Sequence, residues 1–303
     1  MKRNKLKITI CILVATVMVL SIVPTVMVAA DETNLYEKRQ YSGPKIIFDE
    51  KVGSGDTKAP PEGKGKPPKP PKPPAVDKWA IVVGCADYPG WSNDLMYPDD
   101  DAYDMFDYLV SKGYPEDNIK LLVNGKAKSG NIIRAIDWMN KQEKKETSEC
   151  VFFFSGHGTT YDGYNDGDSE GTDEGIVATD NIIILDGQLR AKFSTFTSKK
   201  ITLIFDTCFS GGMDDLIGAY TTVTYEGRKV VTACGEYEYS WDGQDDLQNG
   251  VFTFYFIAGL YTNNNIEDAF SYAEPLAQDY VLNNYGEVMT PQIYSTYTGK
   301  WEF

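Results

Sequence analysis

His157 is the single histidine of the 303-residue chain, and it stands in a glycine-flanked turn, Ser155-Gly156-His157-Gly158, directly after the apolar run CVFFF. Cys208 stands in a second such turn, Asp206-Thr207-Cys208-Phe209-Ser210-Gly211-Gly212, directly after the run ITLIFD. A cysteine and a histidine brought together support acyl transfer: a thiolate attacks a carbonyl carbon, an imidazole protonates the departing amine, and backbone N–H groups hold the oxygen that becomes negative. A free cysteine titrates at about 8.5, so such a site must stabilise the thiolate or deprotonate the thiol as attack proceeds. Cys208 as an inert buried thiol and His157 as a turn residue is the bland alternative. Either residue alone would favour it; two glycine-rich turns, each at the end of a strand-like run, favour catalysis. Zinc is the other use of this pair of residue types, and one histidine without paired CxxC spacing disfavours it.

Both turns need a scaffold that delivers them to one place. From Trp79 onward the chain alternates short apolar runs with amphipathic stretches. The runs are residues 79–85, 119–123, 150–156, 201–206, 229–234 and 291–295, rich in Val, Ile and Phe and apolar at successive positions, which predicts strands covered on both faces. Helical spacing of apolar residues marks 101–112, 129–143 and 251–260. Alternating strands and helices predict an α/β fold, a mainly parallel six-stranded sheet between two helical layers. Ligands of such sheets bind beyond the carboxyl ends of the strands, where His157 and Cys208 both fall. They are 51 residues apart, with a helix-sized crossover between them.

The paired motifs SGHG and DTCFSGG at this spacing resemble those of the caspase-like cysteine peptidase superfamily, metacaspases and their prokaryotic relatives more than animal caspases. The resemblance covers residues 77–303 and implies a three-layer sandwich and a His157–Cys208 dyad. It further implies that the N–H groups of Gly158 and Cys208 form the oxyanion hole, where losing one donor typically costs about 2.7 to 4 kcal/mol of barrier. Asp206, two residues before the nucleophile, matches the metacaspase aspartate. Asp99-Asp100-Asp101-Ala102 is similar to a metacaspase segment that makes Asp101 a second pocket acid, and Ser155 matches a third pocket position. Unit charges 4 Å apart interact by about 4 kcal/mol at an effective dielectric of 20, so the resemblance implies cleavage after Arg or Lys. Asp101 is also explicable as a charge stabilised at a helix N-terminus. By the same resemblance Glu236, Glu238 and Asp242 line the far side of the cleft.

The stretch 162–180, DGYNDGDSEGTDEGIVATD, is expected to be a loop too acidic to pack, and it lacks the register of an EF-hand. Its Asp173 and Glu174, with Asp186 beyond, resemble the ligand positions of calcium-dependent metacaspases, although Gly187 stands where a second carboxylate belongs. Calcium is therefore expected at most as an activator; no cofactor is needed for the chemistry. The segment from Gly211 to Lys229 is too short for a long cleavable linker, which favours single-chain activity, with Arg228-Lys229 as the one basic pair there open to a cut.

Residues 1–30, with Lys2, Arg3, Lys5 and Lys7 ahead of the apolar run Ile8–Ala30, read as a signal peptide, or as a membrane anchor if uncleaved. Residues 31–76 form an N-terminal segment, within which KAPPEGKGKPPKPPKPP favours polyproline II and a spacer role. Removing the leader takes away four positive charges and no negative one, moving the net charge from -15 to -19. Such a chain repels nucleic acid. The expected setting is secretion or attachment to the outer face of the cell envelope, as a monomer whose partners are its protein or peptide substrates, with membrane contact only through an uncleaved leader. Cys85, Cys150 and Cys234 fit both disulfides of an exported protein and buried free thiols. The rival functions are a legumain-like or clostripain-like peptidase, distinguished by cleavage after Asn or by an activating internal cut, and a non-catalytic protein-binding module on the same fold.

Overall fold

The computed structural model describes residues 77–162, 171–218, 224–297, 299 and 301–303. The expected leader, the segment 31–76 with its proline-rich tract, and residues 163–170 of the acidic stretch lie outside them. Among the described residues no helix is long and apolar enough to cross a membrane.

Six strands build the main sheet: β1 (Lys78–Gly84), β2 (Ile119–Val123), β3 (Glu149–Ser155), β7 (Ile201–Asp206), β8 (Arg228–Thr232) and β9 (Gln292–Ser295). Their order is β2-β1-β3-β7-β8-β9, with every pair parallel except β8 and β9. Successive residues of each central strand serve opposite faces. Ala80, Val82, Val151, Phe153, Ile204 and Val231 face a core shared with α1 (Pro98–Ser111), α4 (Val251–Asn263) and α5 (Ile266–Tyr285). Ile81, Val83, Phe152, Phe154, Leu203, Phe205 and Val230 face a second core with α2 (Ser129–Gln142), α3 (Asp186–Phe193) and the 3-10 turns Ser210–Ile217. Two apolar faces explain why the strands read as unbroken apolar runs, and the sandwich has the three layers expected. Phe152, Phe153 and Phe154 are wholly buried, each worth about 1.5 to 3 kcal/mol of transfer free energy.

The acidic stretch departs from expectation. Its described part folds into a small antiparallel sheet of β4 (Gly158–Asp162), β5 (Thr172–Val177) and β6 (Ile183–Leu185), rather than a solvated loop. Ile176, Ala178 and Ile184 anchor it in the second core. Packing those apolar residues draws Asp173 and Glu174 inside with them, at 3% and 0% exposure. Arg228 and Lys229 also differ from the expected open pair: they lie in β8, between β7 and β9, at 3% and 1% exposure. The Arg228 guanidinium donates to the carbonyls of Leu216 at 2.7 Å and Phe193 at 2.6 Å, and Lys229 pairs with Glu267.

Candidate active site

Parallel register sets the site. Ser155, last in β3, lies opposite Asp206, last in β7, so the two glycine-rich turns leave the sheet side by side. Gly158 packs so closely on the second turn that a Cβ there would lie 2.1 Å from the Cys208 carbonyl oxygen and 2.4 Å from Thr207 Oγ1. Only glycine permits this approach, and it brings together the two residues expected to share the oxyanion hole. Phe209, immediately after Cys208, takes a left-handed φ of 62°, a conformation costing a non-glycine residue on the order of 1 to 3 kcal/mol. Its N–H donates to the Glu238 carbonyl at 2.8 Å, and its ring meets Tyr239 edge-on at 5.3 Å, which hold the turn in place.

His157 is held from three sides. Its backbone N–H donates to Tyr88 Oη at 3.0 Å, and Tyr88 in turn donates to the Val177 carbonyl at 3.0 Å. The two rings pack at 4.7 Å. Nε2 lies 2.8 Å from the Asn93 carbonyl oxygen. A carbonyl only accepts, so the neutral ring carries its proton on Nε2 and leaves Nδ1 as the basic nitrogen. Burial pushes the imidazole below its usual 6.5, with the Asn93 carbonyl opposing the shift.

Cys208 is a half-buried free thiol whose Sγ lies 3.7 Å from the Ser240 carbonyl. Cys85, Cys150 and Cys234 are also free, and all are buried. Burial pushes the Cys85 and Cys234 thiols up to about 12 and Cys150 higher still, so none of the three forms a thiolate at neutral pH. His157 and Cys208 line one small open cleft, together with Leu95, Pro98, Ser155, Gly156, Asp206, Ser240, Trp241 and Asp242.

The expected pocket acids converge here, Asp206 in the cleft lining and Asp101 buried behind it. A Cβ on Gly250 would lie 2.6 Å from Asp206 Oδ2 and 2.9 Å from Asp101 Oδ2, so a glycine lets the backbone pass between the two carboxylates. Asp101 is fully buried; it accepts from Ser155 Oγ at 2.6 Å, Gly250 N at 2.9 Å and Asn249 Nδ2 at 3.1 Å. Asp206 accepts from Ser240 Oγ, from Thr253 N at 3.0 Å and from Thr253 Oγ1 at 2.6 Å. Burial raises both carboxyl groups, and the charge of Asp206 raises Asp101 further. Of the three acids expected on the far wall, Asp242 lines the cleft. Glu238 instead ties the backbone, accepting from Gly235 N at 3.0 Å and from Thr290 N and Oγ1 at 2.6 and 2.9 Å. Glu236 acts beside Asp214, whose carboxyl group burial, then the Glu236 charge, raises to about 6.

Asp173 and Glu174 on β5 and Asp186 at the start of α3 lie apart from the cleft lining. Asp186 accepts from Gly187 N at 2.6 Å through Oδ1 and from Glu174 N at 3.4 Å through Oδ2, which is the use of a helix-start carboxylate. Glu174 packs against Gly212, where a Cβ would meet its Oε2 at 2.0 Å. Among the described residues no group of three or more His, Cys, Asp or Glu side chains could hold a metal ion. The described side chains therefore do not by themselves fit a calcium site. Sequence reasoning missed Tyr88, the Asn93 carbonyl, Ser240, Gly250 and Thr253. None belongs to a motif, and a backbone carbonyl leaves no trace in residue type.

With this geometry in view, the chain matches the caspase domain family over residues 77–300 and belongs to that family. It is 30% identical over 163 residues to Metacaspase-1 of Candida albicans, covering 48% of this chain and 36% of the relative. Metacaspase-1 of Meyerozyma guilliermondii is 31% identical over 157 residues, covering 48% and 38%. The chain thus spans little more than a third of the length of these curated relatives. A Geobacter sulfurreducens protein of known crystal structure shares the fold, with a TM-score of 0.53 and 18% identity over 73% of this chain and 94% of that one.

Proposed function

We propose that this protein is a cysteine endopeptidase that cleaves proteins or peptides after Arg or Lys, with Cys208 as nucleophile and His157 as acid and base. The observation that carries the reading is one cleft lined by a half-buried cysteine outside any disulfide, the lone histidine and acids, with no Lys or Arg among the described residues of its lining. A substrate carbonyl set against Cys208 is attacked by its sulfur while the Gly158 and Cys208 N–H groups stabilise the oxyanion. His157 takes the thiol proton as the sulfur attacks and gives it to the departing amine, leaving a thioester; it then takes a proton from the attacking water and returns it to the Cys208 sulfur as the acid product leaves. Every proton passes through His157. The acids Asp206 and Asp242 favour a cationic side chain before the scissile bond, with Asp101 behind them.

No step runs through a metal. Calcium enters only as a proposed activator; because the described side chains do not by themselves make a site, Asp173, Glu174 and Asp186 would supply only part of its ligands. Export by the leader, work outside the cell and a monomeric state complete the proposal.

The test is hydrolysis by the full chain of fluorogenic peptides ending in Arg, Lys, Asn or Asp, with and without calcium, beside Cys208→Ala. The proposal expects cleavage after Arg and Lys, reduced at least about 10⁴-fold in the variant, as for loss of a catalytic nucleophile. Cleavage after Asn would replace the basic specificity with a legumain-like one. Silence on every peptide would leave a binding module. Calcium is removed from the account if a chelator changes neither turnover nor melting temperature.

A further inference from the structure

Residues 85–97 join β1 to α1, and three contacts fix how they run beside the cleft. Met96 N donates to Asp242 Oδ2 at 3.0 Å, Leu95 lines the cleft, and the Asn93 carbonyl meets His157 Nε2 at 2.8 Å. Followed backwards, the segment passes from the acids to the histidine, and Trp91 comes next. Its side chain is 88% exposed, the highest value among the large apolar residues described. A single exposed apolar side chain is ordinary on a protein surface; this one stands on a rigid mount two residues from the carbonyl that supports His157. Asn93 N donates to the Gly90 carbonyl at 2.9 Å and Asn93 Nδ2 to the Pro89 carbonyl at 3.1 Å. Tyr88 N donates to Asp94 Oδ1 at 2.9 Å, and Leu95 N to the Ala86 carbonyl at 2.9 Å. A turn that is already ordered loses little freedom when it binds, and Trp is enriched among residues that carry binding energy.

We propose that Trp91 forms a binding subsite for a large apolar side chain located just after the scissile bond, in the part of the substrate that departs first. This rests on the proposed function and adds to it a second point of selection, on the other side of the cut from the acids. The argument is chemical. His157 hands its proton to the departing amine, so that amine and the chain beyond it lie on the histidine side of the sulfur. The residue before the cut lies toward Asp206 and Asp242. One segment serves both sides, with Met96 at the acids and Asn93 at the histidine, so Trp91 stands where the departing chain leaves the cleft. An indole there shields an apolar side chain from water and gives no comparable return to glycine.

The test uses internally quenched peptides identical up to and including Arg, in which the first and second residues after it are changed in turn from Gly to Leu. For the full chain, kcat/KM on the better Leu peptide is expected to exceed that on the Gly peptide by about fivefold or more, as for an apolar side chain taken into a site that fits it. Trp91→Ala should bring this ratio close to one, and Trp91→Phe should restore part of it. An Arg methyl ester, whose leaving group is methanol and offers Trp91 nothing to hold, should respond least to either change. Absence of a Leu preference in the unaltered protein, or an unchanged ratio in Trp91→Ala, overturns the proposal. So does an equal loss on the ester and the Leu peptide, which would mean that the substitution acts by disturbing the support of His157. If the unaltered protein hydrolyses none of the Arg peptides and not the ester, the proposed function falls first, and the two failures are distinct.

Discussion

At the scale of single residues, the site is a set of titratable groups taken out of water. A neutral His157 suits the role proposed for it, to accept and then donate a proton. The three acids are tuned the opposite way from a surface ion pair: burial raises Asp101 and Asp206, and burial followed by the Asp206 charge raises Asp242 to about 6. An acid raised on folding contributes stability that is whole below its unfolded value and is lost as pH rises through its folded value. For Asp242 that window runs from 3.8 to about 6. The melting temperature of Asp242→Asn should therefore fall less than that of the unaltered protein across this window, as read by thermal denaturation at a series of pH values. Parallel pH profiles in the two proteins would refute the raised value. His157 and Cys208 were legible in the sequence because the chemistry demands their side chains. Asp242 was legible only as one of three acids, because which one reaches the cleft depends on the path of the Gly235–Asp242 segment.

At the scale of elements, the register of β3 against β7 does most of the positioning, and it follows from two apolar runs that each end at a glycine-rich turn. All six sheet strands lie within a residue or two of the predicted runs, because a strand buried on both faces leaves an unbroken apolar signature. What was not legible has physical causes. Helix α5, twenty residues long, carries Pro275 inside it and a run of Tyr, Asn and Asp that weakens its helical pattern. Strands β4 to β6 were hidden by acids that are buried only because Ile176, Ala178 and Ile184 pull their neighbours inward. The same burial decides a question of processing. Arg228 and Lys229 are paired on both sides and shielded from solvent, so the folded protein is expected to leave the bonds after them intact. Mass spectrometry of the full chain after prolonged incubation checks this; fragments ending at Arg228 or Lys229 while the melting curve stays native would contradict it.

At the scale of the whole molecule, the chain carries a net charge of -15, and among the described residues no Lys or Arg lines its cleft. Under the proposed function, the overall field and the local site would attract the same substrates, basic ones, and the attraction would weaken with salt. The change of texture near Trp79 is where the sequence places the start of the domain; the family match covers residues 77–300. The central claim is that Cys208 forms the acyl bond in a pocket for a basic side chain. The most direct measurement is the intact mass of the full chain after treatment with an arginine-ending peptide that carries a thiol-reactive acyloxymethyl ketone, followed by mapping of the modified residue. The account predicts a single adduct on Cys208, slowed in His157→Ala and outcompeted by Arg peptides but not by Asn peptides. An adduct on another cysteine, or faster reaction with the asparagine-ending probe, would contradict it.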